Sequence, residues 1–132
     1  MKTIPKIKTF AVTSGLSTQP EGLNSNIMAC GLNDCRVHVF DYNGNTQQSF
    51  GGEGRGVKQF NTPWGLVADS SGRIIVCDQA NNRVVSISED SWEVLLDQKK
   101  LGFISPLHIA IDRKKKVLAI ANRQGSLGLY SF

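Results

Sequence analysis

The sequence predicts an all-β fold, a partial β-propeller of about three four-stranded antiparallel blades. Short segments rich in β-branched residues, such as "GLVAD", "RIIVCD" and "RVVSI", are bounded by Gly, Ser, Asn and Asp turns, which is typical of strands. No segment carries a sustained helical period with capping residues. Segments of this kind recur with a period in the mid-forties, and such a period with several strands per copy predicts propeller blades.

Internal similarity supports three degenerate copies. The stretch "IMACGLNDCRVHVF" that begins at Ile27 aligns with "IIVCDQANNRVVSI" from Ile74, at an offset of 47 residues. The stretch "PLHIAID" from Pro106 aligns with "PWGLVAD" from Pro63, at an offset of 43 residues. One extra residue in the RKKK turn that follows then places an Asn where the second copy has an Asp. A chain of 132 residues favours one domain, residues 1–132, with blade-like repeats at about 8–50, 59–97 and 104–132.

Individual strands follow from the same pattern. The second copy is the most regular, and its strands are predicted near residues 64–69, 73–78, 83–88 and 92–97. In the first copy, Phe10 to Thr13 are expected to supply the first strand, with a long polar loop as far as Asn26. In the third copy, "LGLYSF" at residues 127–132 forms the third strand, and no fourth strand follows.

Alternation along the second strand of the second copy predicts two buried faces. Ile75 and Cys77 share one face, and Ile74 and Val76 share the other, as expected of a blade packed between two neighbours. Cys77 is interpreted as a small packing residue, and so is Cys30 at the same repeat position. The acidic and amide residues that follow, Asp78, Asn81 and Asn82, resemble a metal cluster, but are interpreted as turn-forming residues that bond to nearby backbone N–H groups.

Composition excludes several classes of protein. The apolar content of 40% and charged content of 20% are those of a globular protein, and the net charge of +4 permits an anionic partner without requiring one. Three cysteines without a CxxC pair do not fit a disulfide framework or a zinc finger, and they favour a reducing compartment. No apolar run is long enough for a signal peptide or a membrane span. We therefore expect a soluble cytoplasmic protein with no membrane partner.

The second copy resembles the NHL repeat. "GEGRGVKQFNTPWGLVADSSGRIIVCDQANNRVVSI" has the Gly-rich opening of that family, its QFN-x-P-x-G, its turn glycine and its D-x-x-N-N-R closing turn. The third copy departs from the pattern, because it has "DRKKK" in place of the turn glycine and Asn122 in place of the Asp. The resemblance covers most of residues 8–132, and it implies half of a six-bladed propeller of the kind that ends tripartite-motif proteins.

The resemblance implies a binding platform whose loop face holds protein or single-stranded RNA. Trp64 lies where the chain begins its innermost strand, at the mouth of the central channel. An aromatic side chain at this place can stack on bases or anchor a partner. Packing of Trp64 against the next blade is an equal alternative. Arg83 can contact a ligand or, alternatively, pair with a neighbouring turn of the fold. His108 can likewise contact a ligand or, alternatively, be a hydrogen-bonded residue of the scaffold. The candidate ligand-binding residues are Trp64, Asn61, Gln79, Arg83, His108, Arg123 and Gln124.

No catalytic constellation, metal site or cofactor is predicted. Neither His38 nor His108 has a partner that linear spacing would place beside it, and no nucleophile elbow or phosphate loop is present. The basic run "RKKK" at 113–116 is expected to form a solvated turn on the opposite rim, with an anion contact as the lesser alternative.

Three functions remain open at this point. The first is target recognition within a tripartite-motif E3 ubiquitin ligase or post-transcriptional repressor. The second is a metal-dependent lyase or lactonase, and the third is an assembly module with an unused face. Three blades cannot close a ring, so we expect either a C-terminal fragment of a longer protein or a head-to-tail dimer that completes the propeller.

Overall fold

The computed structural model of the chain describes residues 13–19 and 26–132, and these form three antiparallel sheets. The first sheet holds β1 (Thr13–Thr18), β2 (Ile27–Gly31), β3 (Arg36–Phe40) and β4 (Thr46–Gly51). The second holds β5 (Pro63–Ala68), β6 (Ile74–Asp78), β7 (Arg83–Ile87) and β8 (Trp92–Leu96). The third holds β9 (His108–Asp112), β10 (Val117–Ala121) and β11 (Leu127–Ser131), and a short helix α1 (Gln98–Leu101) precedes it.

Strands pair with their neighbours in chain order within each sheet, as the blades of a propeller do. The predicted fold class is therefore confirmed, including the three-stranded third sheet. Each strand of the second sheet begins and ends within one residue of its predicted position. Within the described ranges, no helix is long and apolar enough to cross a membrane.

The first strand differs from its prediction. Residues 10–12 lie outside the described residues, and β1 runs from Thr13 through Thr18. The sequence predicts Thr13 in the first strand but places residues 14–18 in the polar loop. The strand forms because its backbone pairs with β2, with Ser17 opposite Met28 and Thr18 opposite Ile27, and this pairing overrides its small and polar composition. Beyond the strand, the Gln19 amide donates to the Asn26 carbonyl at 2.9 Å, so Asn26 is paired rather than part of an open loop.

Two hydrophobic cores separate the three sheets. The predicted alternation in β6 is confirmed, because Ile74 and Val76 lie in the core shared with the first sheet, whereas Ile75 and Cys77 lie in the core shared with the third. The first core also contains Met28, Cys30, Val37, Val39, Phe60, Leu66, Val85 and Ile87, all buried. The second also contains Val67, Val84, Leu101, Leu118 and Ile120. The second sheet is thus covered on both faces.

The innermost strands β1, β5 and β9 approach one another closely. The amide of Gly65 in β5 donates to the carbonyl of Leu107, just before β9, at 2.8 Å. A Cβ atom at position 65 would lie 2.6 Å from that carbonyl oxygen, so only glycine permits the contact. On the other side, a Cβ at Gly15 in β1 would collide with the carbonyl of Trp64. The three strands therefore converge, and their first residues meet at one rim.

The third sheet contains the extra turn residue that the alignment predicted. Ile74 and Leu118 both face the preceding sheet, and they pair with Ala68 and Ile111 respectively. The turn that joins these pairs is one residue longer in the third sheet than in the second. The RKKK residues lie in that turn, at the rim opposite to the one where Trp64 lies.

Candidate functional site

The seven candidate residues lie at one end of the second and third sheets, which we call the Trp64 rim. Strand pairing places the start of β5 beside the end of β6, since Pro63 pairs with Asp78. It likewise places the start of β9 beside the end of β10, since His108 pairs with Ala121. The rim carries Asn61, Trp64, Gln79, Arg83, His108, Arg123 and Gln124.

Trp64 and Arg123 form the clearest contact between two candidate residues. The guanidinium carbon of Arg123 lies 5.1 Å from the centroid of the Trp64 ring, within the range of a cation–π interaction. Trp64 is half-buried and Arg123 is exposed. Because Trp64 belongs to the second sheet and Arg123 to the β10–β11 turn of the third, the contact bridges two neighbouring sheets at the rim. A planar cation and an aromatic ring are thus held together where solvent can reach them.

Arg83 connects β7 to the loop that precedes β5. Its Nε donates to Asp78 Oδ2 at 2.7 Å, and its Nη2 donates to the carbonyls of Gly56 and Gln59 at 2.8 and 2.9 Å. Asp78 is fully buried, and its other oxygen accepts from the Asn61 backbone amide at 2.8 Å. The guanidinium therefore holds the Gly-rich loop onto the sheet, which is the pairing role that the sequence left open.

The amide residues after β6 build the turn as predicted. Asn82 adopts a left-handed conformation, with φ of 51°, which Asn tolerates better than most residues. Its Oδ1 also accepts from the Ser105 amide at 2.8 Å, so this turn residue joins the second sheet to the segment before the third. Asn81 donates through Nδ2 to Asp78 and to the carbonyl of Gly54, each at 2.9 Å. These side chains serve the fold.

The remaining candidates are dispersed along the rim. Asn61 is exposed, and its carbonyl accepts from Ala80 at 3.1 Å, which places it beside Gln79. Gln124 lines an open cavity of about 800 Å³ with Asn122, Ser126, Gly102, Phe103, Ile104, Gln98 and Lys99. His108 is exposed on the face of the third sheet that points away from the second. The described contacts thus join Trp64 to Arg123 and leave His108 on a different face.

A hydrogen-bonded chain of Ser49, His38 and Asp34 was not anticipated. Ser49 pairs in register with His38, and its Oγ lies 2.9 Å from His38 Nδ1. Asp34 Oδ2 lies 2.7 Å from Nε2 of the same ring. The expectation that His38 has no partner is therefore wrong, because strand pairing and a tight turn bring together residues that linear spacing does not relate. The hairpin register of "RVHVF" against "TQQSF" was the one signal that pointed to Ser49.

The order of these three groups is that of a Ser–His–Asp relay, but their setting is that of a sheet surface. The cavity that Gln124 borders is lined by other residues. We therefore assign the chain of hydrogen bonds to the stability of the outer edge of the first sheet.

Cys30 and Cys77 are packing residues, as predicted. Neither they nor Cys35 form a disulfide, and all three are buried. Burial, followed by the nearby Asp78 charge, raises the pKa of the Cys77 thiol to about 12, and burial likewise raises the pKa of Cys30. These two thiols are therefore protonated at neutral pH. In the part of the chain that the structure describes, no three His, Cys, Asp or Glu side chains are grouped as metal ligands.

Comparisons with known proteins agree with the geometry. A family model described as "NHL repeat" matches residues 60–85. Protein lin-41 of Caenorhabditis elegans is 45% identical over 42 residues, which cover 32% of this chain but only 4% of lin-41. A structure of streptogramin B lyase matches with a TM-score of 0.58 and 14% identity, over 97% of this chain and 43% of that chain.

A second solved structure supports the same fold. Virginiamycin B lyase from Staphylococcus aureus, in selenomethionine-substituted form, matches with a TM-score of 0.55 and 10% identity, over 91% of this chain and 41% of that chain. At such low identity these two likenesses show the fold alone. The chain spans less than half the length of each of these three proteins. Residues 60–85 are an NHL repeat, and they form the central part of a partial β-propeller.

Proposed function

We propose that the Trp64 rim is a non-catalytic binding surface that recognises protein or single-stranded RNA. The observation that carries the proposal is the stacked pair of Trp64 and Arg123, a half-buried ring under an exposed guanidinium. Such a pair offers two flat surfaces, and flat aromatic and guanidinium groups are what single-stranded bases stack on. The exposed amides of Asn61 and Gln124 supply hydrogen-bonding groups along the same rim.

Of the two partner classes, single-stranded RNA fits the rim better. The guanidinium of Arg123 is exposed, so it can meet a phosphate or a base without losing a buried partner. The net charge of +4 is compatible with an anionic partner such as RNA. A protein partner that inserts a side chain beside Trp64 is the alternative, since Trp and Arg are also common anchors of protein interfaces.

In the parent protein, we propose that this rim selects the target while other domains act on it. The similarity to lin-41 and the NHL repeat support a tripartite-motif context, in which the propeller would serve an E3 ubiquitin ligase or a post-transcriptional regulator. The lyase structures support the fold alone, so we do not extend their chemistry to this chain.

Replacement of Trp64 by Ala tests the proposal. Loss of one stacked base costs about 1–3 kcal/mol, so the Kd for a fluorescein-labelled single-stranded RNA should rise about 5- to 150-fold in fluorescence anisotropy. Tyr42→Ala is the matched control, because Tyr42 is 44% exposed and lies in the β3–β4 turn at the opposite rim. An unchanged Kd and an unchanged salt dependence in Trp64→Ala would remove Trp64 from the proposed site.

A further inference from the structure

A basic cavity lies at the opposite rim, between the second and third sheets. Its volume is about 220 Å³, and it is formed where the β5–β6 turn meets the β9–β10 turn. The lining residues are Asp69, Ser70, Ser71, Arg73, Arg113, Lys116 and Phe132. The cavity shares no residue with the Trp64 rim, so its role is independent of the function proposed above.

Both arginines of the cavity are held in place by the fold. Arg113 Nε donates to the carbonyl of Ala68 at 2.9 Å, which fixes the side chain across the sheet junction and leaves its two terminal nitrogens for another acceptor. Arg73 Nε donates to Asp69 Oδ2 at 3.0 Å, and its guanidinium carbon lies 5.6 Å from the centroid of the Phe132 ring. A guanidinium that is already positioned loses less conformational freedom when it binds an anion.

Positive charge in the cavity exceeds negative charge. Three lining side chains are cationic and one, Asp69, is a carboxylate. Phe132 also lines the cavity and carries the α-carboxylate of the 132-residue chain, so the excess is one positive charge. That carboxylate is already occupied, because it accepts from Arg73 and from the amide and hydroxyl of Ser71. Glu93 contacts Arg73 from outside the cavity, at 3.7 Å, and its side chain is mostly exposed. Arg113 and Lys116 therefore face the cavity without a carboxylate of their own among the described ion pairs.

The turn that supplies these cations departs from the repeat in a way that the fold does not require. The second sheet has Gly72 in its turn, at a φ of 90°, whereas the third has Lys116 in the left-handed region, at 53°. A lysine is disfavoured there, and four consecutive cations repel one another. The third repeat therefore carries a less favourable turn together with a cluster of positive charge that borders the cavity.

We propose that this cavity binds a phosphomonoester group. In this proposal Arg113 and Lys116 contact the phosphate oxygens, and Ser70, which also lines the cavity, supplies a hydroxyl donor. A phosphomonoester carries close to two negative charges at neutral pH and can therefore contact both Arg113 and Lys116 with a charged oxygen, whereas a phosphodiester carries one charge. The group would come from a phosphorylated Ser or Thr in a peptide, or from a small phosphate ester.

Isothermal titration of the 132-residue chain with O-phosphoserine tests the site at constant ionic strength. The variant R113Q/K116N removes the two cavity cations that have no carboxylate partner among the described ion pairs and keeps Arg73. Asn at 116 tolerates the left-handed conformation, so the turn is retained. The matched control is K114Q/K115Q, which removes the same charge from the same exposed turn but not from the cavity wall. We expect the Kd to rise at least tenfold in the first variant and less than threefold in the control.

Two further comparisons identify the ligand. Dimethyl phosphate should bind at least tenfold more weakly than O-phosphoserine, since it has one charge. A pentapeptide with a central phosphoserine is then compared with inorganic phosphate. If the peptide binds at least tenfold tighter, the phosphate group comes from a peptide, whereas equal affinity identifies a free phosphate ester. Both results support a phosphate-binding site in the cavity. The single variant K116N, which leaves the Arg113 contact intact, reports on the site if R113Q/K116N does not fold.

Equal losses in the cavity variant and in K114Q/K115Q would overturn the proposal, because they would show diffuse attraction to the turn instead of a site. Equal affinity for O-phosphoserine and dimethyl phosphate would overturn it as well. Trp64→Ala should leave phosphate binding unchanged, which separates this test from that of the Trp64 rim.

Discussion

Asp78 shows how one buried side chain organises a rim. Its carboxylate is fully buried, yet it accepts hydrogen bonds from the Asn61 amide, from Asn81 and from Arg83, which come from three different segments. A buried carboxylate is tolerated only when it is paired and its lone pairs are satisfied. In the described part of the chain, no buried side-chain polar atom lacks a hydrogen-bond partner. The Gly-rich loop before β5 is therefore held in place by a charged pair.

Asp78→Ala should strongly destabilise the fold. The change leaves the guanidinium of Arg83 largely buried without its carboxylate, and breaking one partner of such a pair costs about 3–5 kcal/mol. Asp112→Ala is the control, because the Asp112 side chain is exposed and accepts only from the Lys115 amide, so its loss should cost about 1 kcal/mol. Urea unfolding of the three proteins measures both changes. Equal costs would show that the Arg83 pair contributes no more than a turn contact.

Asp69 should make stability depend on pH in the acid range. Burial by itself would raise the pKa of this carboxyl, but hydrogen bonds from Ser71 and Arg73 outweigh burial and lower the pKa. Because the folded-state pKa lies below the unfolded value of about 3.9, the stabilisation is complete above that pH and is lost as the pH falls through the folded pKa.

The measurement is urea unfolding at a series of pH values from about 2 to 6, which spans this range. Asp69→Asn should flatten the acid side of the profile relative to that of the unmodified chain. A profile that keeps its full slope in Asp69→Asn would show that other carboxylates cause the acid dependence.

At the scale of the elements, the contact between β5 and β9 sets how the sheets meet. Gly65 permits a backbone hydrogen bond to Leu107 that any larger residue would obstruct. The same approach brings the β10–β11 turn close to Trp64, so that Arg123 can reach the ring. The geometry of the Trp64 rim thus depends on the glycine at position 65.

Gly65→Ala should separate these two strands. Its Cβ would lie 2.6 Å from a backbone oxygen, and relief of such an overlap costs about 1–3 kcal/mol with a local backbone shift. Gly102→Ala is the control, since its φ of 83° adds a similar backbone cost of about 1 kcal/mol but no atom lies within 4 Å of the added Cβ. Hydrogen exchange distinguishes them, because the amide at position 65 should lose protection only in Gly65→Ala. Full protection of the amide at position 65 in Gly65→Ala would show that the two strands accommodate the added Cβ atom and keep their hydrogen bond.

At the scale of the whole molecule, the second sheet is the only one of the three described sheets with a large core on both faces. One face of the third sheet is open, and it presents Leu127 and Leu129 with 69% and 71% of their surface exposed. Ala119 and Ala121 lie beside these leucines on β10. An apolar strip of this kind associates in water with another apolar surface, so we expect the isolated chain to self-associate through it.

Leu127→Lys/Leu129→Lys should reduce this association. The two lysines place charge on the open face, and light scattering should show a lower average mass than for the unmodified chain at the same concentration. The control is Val57→Lys/Val94→Lys, which adds the same charge at exposed apolar positions outside the third sheet and should leave the mass high. A monomeric unmodified chain would contradict the prediction.

The local features of this protein follow from its sequence. The strands of the second sheet, the two-faced burial of β6 and the extra residue in the third repeat could all be predicted. These features depend on residues close together in the chain, where side-chain alternation and turn preferences operate directly. The prediction failed at β1, whose small and polar residues form a strand only because β2 lies beside them.

The contacts that make candidate sites were decided by tertiary structure alone. Sequence analysis could place Trp64 and Arg123 on one rim, but only the packing of two sheets lays the guanidinium on the ring. It could identify the RKKK turn, but not the cavity that the turn forms with Arg73 of the preceding sheet. The physical reason is the same in each case: these groups are far apart in the chain, and the convergence of the inner strands determines which of them meet.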